Sequence, residues 1–189
     1  MASNKALKLI SIIFHPIFIA IPLIISFSIN NLLEIGIAVT LISIIPFCIT
    51  AYYARKEKIS IDIIDRNKRK IPYIVSIASF LLSSLIFYCL NSPLLFTLSI
   101  AYFNVSILLF IINTRWKISV HCAAISGLAT DATYVFGLLA TPLFILVAFI
   151  GWVRYKMHVH TLSQIIAGTF ISLMISLLTF IIFYKPSVI

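Results

Sequence analysis

The sequence predicts an all-α polytopic membrane helix bundle of about six to seven transmembrane helices. Three observations lead there. The 189 residues are 62% hydrophobic and only 10% charged, whereas a soluble domain is nearer half apolar and a quarter charged. Mean hydropathy is +1.16. Apolar runs long enough to cross a bilayer recur along the whole chain, separated by short polar stretches. No repeat, low-complexity tract or soluble segment interrupts them, so residues 1–189 read as one integral-membrane domain.

The first span runs from about Leu7 to Ile29. It does not read as a cleaved signal peptide: its apolar part is too long, and it contains His15, Pro16 and Pro22. The turn Asn30-Asn31 leads to a second span, about Leu33 to Tyr53. Composition then changes to a basic loop, Arg55-Lys56-Glu57-Lys58 through Asp65-Arg66-Asn67-Lys68-Arg69-Lys70-Ile71-Pro72. The third span covers about Tyr73 to Leu90. Asn91-Ser92-Pro93 forms a turn, and the fourth ends near Ile112. Arg115-Trp116-Lys117 marks an interface. The fifth span carries Ser119, His121, Ser126, Thr130 and Asp131, and is the least regular because of them. Gly137 and Pro142 bracket the next turn, a sixth span reaches Trp152, and the last runs from about Thr161 to Tyr184.

Seven crossings have a consequence of parity. Two spans separate the basic loop from Lys117–His121, and two more separate that cluster from Arg154–His160. All three polar clusters are therefore expected on one side. Thirteen of the fourteen Lys and Arg residues fall on that side, including Lys5 and Lys8, with Lys185 opposite. The positive-inside rule makes that face cytoplasmic. The net charge of +9 flanks apolar spans, which suits anionic headgroups rather than nucleic acid. Cys48, Cys89 and Cys122 fit neither a metal spacing nor a disulfide framework.

The densest chemistry is Arg154-x5-His160-x3-Gln164-x3-Gly168. His160, Gln164 and Gly168 share one helical face, and a carboxamide one turn after a histidine can fix its tautomer. Arg154 offers a fork for phosphate. The plainer reading of this stretch is interfacial snorkelling. His121, inside a membrane span, is a functional candidate by default. Ser119 suits either a phosphate or a helix cap, and the small residues Ala123, Ala124, Ser126 and Gly127 suit close helix packing. Asp62 and Asp65 form a D-x-x-D pair that can bind magnesium with a diphosphate. No second acidic cluster accompanies it, so salt bridges within a solvated basic loop are the expected role. Asp131 is deeper, with no partner that the sequence names. No metal site is expected.

Together the clusters resemble the type 2 phosphatidic acid phosphatase family of membrane lipid phosphatases, in a short prokaryotic branch. The family's third motif, Ser-Arg-x5-His-x3-Asp, is matched by Arg154, His160 and Gln164. Its second, Pro-Ser-Gly-His, appears as Ile118-Ser119-Val120-His121, and its first, basic and ending in Arg-Pro, loosely as Arg66-x2-Arg69-x2-Pro72. The motifs span over half the chain. Gln164 stands where the family has aspartate, and Ile118 and Val120 where it has proline and glycine.

The resemblance implies metal-independent and cofactor-free hydrolysis of a prenyl (di)phosphate or phosphatidate-like lipid at the plasma membrane of a prokaryote. His160 is the implied nucleophile, His121 the acid that protonates the leaving oxygen, and Gln164 the residue that orients the nucleophile. Arg154, Arg69, Arg66, Ser119 and Lys117 are the implied phosphate ligands. The alternatives are a magnesium-dependent membrane prenyltransferase using Asp62 and Asp65, and a non-catalytic lipid-binding or transport protein.

Overall fold

The computed structural model describes residues 2–29 and 31–185, with the side chains of Lys5 and Lys8 outside the described part. It is helical, with no strand among the described residues. Six helical stretches are long and apolar enough to span a membrane: Leu9–Phe27, Leu32–Lys56, Arg66–Cys89, Pro93–Arg115, Val120–Ala140 and Leu162–Phe183. Outward-facing Ile74, Ile145, Ile166, Phe170 and Ile181 are more than half exposed. In water that surface would be unfavourable; in lipid it is the expected exterior of a bundle. The chain is a membrane protein.

Several elements differ from the sequence reading. The fifth span, expected to be the least certain, is regular: α7 (Val120–Phe136) continues through a 3₁₀ turn, Gly137–Ala140. The sixth is short. α8 (Leu143–Lys156) has 14 residues, about 21 Å at helical rise, which is less than the hydrocarbon thickness. The first span is broken. α1 (Ala2–Ile13) ends before His15, and α2 (Pro16–Phe27) starts with proline at its first position and the His15 ring as its cap.

The second span changes pitch midway. α3 (Leu32–Ala38) passes into a π-helical turn, Val39–Ile44, and then α4 (Ile45–Lys56). Pro46 follows directly. It has no N–H for the Ile42 carbonyl, and its ring crowds that carbonyl. The ladder adjusts by widening: the N–H of Ile45 reaches back five residues to Thr40.

α5 (Lys70–Cys89) and α6 (Pro93–Arg115) form a hairpin tied by a 2.8 Å Ser83–Ser99 hydroxyl bond. α7 lies at the centre, against α2, α6, α8 and α9 (Leu162–Phe183). Its small residues allow this closeness, as expected. The Ser126 hydroxyl donates to the Thr169 carbonyl at 2.9 Å. A Cβ at Gly168 would lie 2.7 Å from the Ser119 carbonyl oxygen, so only glycine lets α9 begin against the start of α7. At the opposite end of the bundle the Glu34 carboxylate accepts from Ser28 and Ser92.

Candidate active site

The three polar clusters meet at one end of the bundle, as parity required. They surround the mouth of a cavity of about 230 Å3 that runs inward between α2, α4, α5, α6, α7 and α9. Arg69, Arg154, His121 and His160 line it, joined by Asp62 and His15.

His160 sits in the turn between α8 and α9. That turn reverses through His158, whose backbone is left-handed at φ 55°, a conformation histidine tolerates better than most residues. Thr161 caps α9, and a capping box closes it: the Thr161 hydroxyl accepts from the Gln164 N–H, and Gln164 Oε1 accepts from the Thr161 N–H at 3.3 Å. The second contact settles which end of the carboxamide faces inward, because a backbone N–H can meet only an oxygen. The same Oε1 lies 3.0 Å from His160 Nδ1. Nδ1 must therefore carry the proton, and Nε2 keeps its lone pair. Burial pushes the His160 pKa down to about 3, with Arg154, Arg69 and Lys117 adding to the shift and the Gln164 bond opposing it. The ring is a neutral base at ordinary pH.

Arg154 ends α8 almost fully buried. Its Nη1 donates to the Ser11 hydroxyl at 2.8 Å and to Asp62 Oδ2 at 3.0 Å. Arg69 is held by two carbonyls: Nε donates to Ile63 at 2.8 Å and Nη1 to Ile118 at 3.1 Å. Neither Nη2 has a protein partner among the described residues, and both guanidinium groups border the cavity. Lys117 donates to the Val159 carbonyl at 2.7 Å and, with Gln164, lines a shallower depression that shares His160 with the main cavity. Its ammonium is pulled below the usual lysine range by desolvation, then by Arg69 and Arg154. Arg154 and Arg69 face the cavity, where Asp62 is the lining carboxylate, and Lys117 stands at the adjoining depression, an arrangement that favours an incoming anion.

Asp62 requires a correction. The sequence reading put it in a solvated loop, paired with nearby bases. Instead its side chain is 13% exposed and sits between Arg154 and His121, whose Nε2 is 3.5 Å from Oδ1. The next residue, Ile63, is buried at φ 26°. Positive φ at a β-branched residue costs on the order of 1–3 kcal/mol and tends to mark functional segments. Here the Arg69 bond to the Ile63 carbonyl supports the strained backbone that presents Asp62. Asp65 does not join it; its carboxylate caps the following 3₁₀ turn by accepting from the Asn67 N–H at 2.9 Å. The D-x-x-D pair is thus split between two tasks.

Two expected phosphate ligands stand apart. The Arg66 guanidinium donates to the Arg115 carbonyl at the exposed rim, and Asn113 donates to the Arg66 carbonyl. Ser119 is fully buried and accepts weakly from the Cys122 N–H as the cap of α7. Neither lines the cavity. Ser11, His15 and Asp62 were missed as site residues. His15 packs edge-on against His121, ring centroids 4.9 Å apart. A histidine within an apolar run was a usable signal; Ser11 gave none.

No family model matches the chain, and neither curated proteins nor solved structures match it.

Proposed function

We propose that the protein is a membrane lipid phosphatase that hydrolyses a prenyl (di)phosphate or a phosphatidate-like lipid without a metal ion. One observation carries this reading. A neutral histidine, its proton pinned on Nδ1 by Gln164, stands at the mouth of a cation-rimmed cavity beside two anchored arginines. Such a constellation suits transfer of a phosphoryl group to nitrogen, where positioning and charge stabilisation supply most of the catalysis.

In the proposed reaction the phosphate enters between Arg154 and Arg69, with Lys117 at its outer edge. His160 Nε2 attacks phosphorus, the bond to the lipid oxygen breaks, and that oxygen takes a proton from His121. Water then attacks the phosphohistidine and returns a proton to His121, releasing phosphate and restoring both histidines. Asp62 is a positioning residue: it holds Arg154 and stands beside His121. The apolar middle of the cavity, lined by Ile42, Phe80, Leu109 and Leu128, suits a lipid tail. The basic residues clustered at this end support a cytoplasmic site; the plasma membrane of a prokaryote is what the family resemblance adds.

The test is phosphate release from a panel of lipid phosphates by purified protein in detergent. Release should persist in EDTA, radiolabelled phosphate should be trapped on histidine, and His160→Ala should abolish both. Loss of activity in EDTA would instead favour a metal-dependent transferase. Release by His160→Ala at near wild-type rate would remove the proposed nucleophile.

A further inference from the structure

The cavity does not end in lipid-like surface. Its inner end is bordered by Tyr102 on α6, Gly127 on α7, and Ser172 and Ser176 on α9. Asp131, one turn beyond Gly127, is fully buried in the same region. Neither of its carboxylate oxygens has a well-formed hydrogen bond; the Ser176 hydroxyl lies beside it, and Tyr102 is close enough to feel its charge. The Tyr102 and Ser172 hydroxyls are likewise buried without a partner. Gly127 lets the two serines come close: a Cβ there would lie 2.8 Å from Ser172 Oγ and 3.2 Å from Ser176 Oγ.

An acid inside a membrane bundle is accommodated by a proton or by a counter-charge. The bases of the polar end are remote. Even His121, on the same helix, is ten residues away, about 15 Å at helical rise. The polar groups at this inner end, Tyr102, Ser172 and Ser176 beside the buried Asp131, are all oxygens, and oxygen ligands suit hard cations. They carry one negative charge, which a monovalent ion balances. A divalent ion would leave an uncompensated charge in the apolar interior. The cavity itself supplies the route from the polar end.

We propose that Asp131, with the hydroxyls of Ser172, Ser176 and Tyr102, binds an alkali cation within the membrane-embedded part of the bundle. The site is independent of the phosphatase reading, since it rests on different residues and its test reads no phosphate release.

The test is thermal unfolding of the purified protein in detergent, in lithium, sodium, potassium or choline chloride at equal ionic strength. The melting temperature should rise saturably with at least one alkali cation relative to choline. Asp131→Asn and Gly127→Ala should each abolish the rise, the first by removing the charge and the second by displacing the Ser172 and Ser176 hydroxyls. Should either variant fail to fold, Ser176→Ala should still fold and weaken the apparent cation affinity about tenfold or more. Equal melting in all four salts would overturn the proposal. So would a cation response retained by Asp131→Asn. Stabilisation of the wild type by acid alone, with no cation response, would assign the carboxylate a proton instead.

Discussion

Gln164→Leu probes the reasoning most directly, because one oxygen performs two tasks. Oε1 accepts from His160 Nδ1 at 3.0 Å and from the Thr161 N–H at 3.3 Å. A net hydrogen bond is worth about 0.5–1.5 kcal/mol, which corresponds to roughly a 2- to 12-fold bias toward the Nδ1–H tautomer. Losing it also frees the ring to rotate from its attacking orientation. In a serine-protease triad, a wrong imidazole tautomer costs about 10⁴ in kcat. Gln164→Leu is therefore expected to slow phosphate release by at least about tenfold, with about 10⁴ as the limit. Part of the damage will be a lost cap. Thr161→Ala isolates that part: it should cost about 0.5–2 kcal/mol of stability with little change in rate. Gln164→Glu keeps an acceptor at the same place and should retain the tautomer. The assay is single-turnover phosphate release and phosphohistidine trapping, with melting temperatures measured in parallel. A Leu variant as fast as wild type would refute the tautomer argument and weaken the family resemblance, whose strongest motif includes this residue.

Asp62→Asn should destabilise the bundle and slow release together: breaking a buried ion pair by removing one partner costs about 3–5 kcal/mol, and Arg154 is 1% exposed; unchanged melting would show that Ser11 alone suffices to hold the arginine. Gly168→Ala should displace the start of α9 from the Ser119 carbonyl, costing about 1–3 kcal/mol, and should shift His160 with it; wild-type melting and rate would show that the 2.7 Å approach relaxes freely. His160, with its pKa lowered to about 3, should stay neutral from pH 5 upward, so phosphate release should show no limb from its protonation between pH 5 and 8. The sign for stability follows: the unfolded histidine binds a proton below about 6.5, so this contribution is present above that pH and is lost as pH falls from there toward 3. A His160 ring that titrates near 6.5 by NMR would contradict the burial of this site.

The sequence by itself determined the membrane bundle, because apolar runs of spanning length have few other solutions. It also determined the gathering of three polar clusters at one end, which is a matter of counting crossings. The His160–Gln164 contact was legible from its four-residue spacing, although not for the helical-face reason: His160 precedes the Thr161 cap of α9, and the capping turn brings the two together. Tertiary packing alone decided the partners of the arginines. Arg154 meets Ser11 and Asp62, residues 143 and 92 positions away along the chain, and no periodicity encodes such a meeting. Arg66 and Arg69 look alike in sequence, and a 3₁₀ turn brings residues three apart to one side, yet one reaches the exposed Arg115 carbonyl and the other borders the cavity, bound to the carbonyls of Ile63 and Ile118. The break at His15 and the widened turn before Pro46 also escaped hydropathy, which registers how apolar a stretch is and not where its backbone ladder shifts.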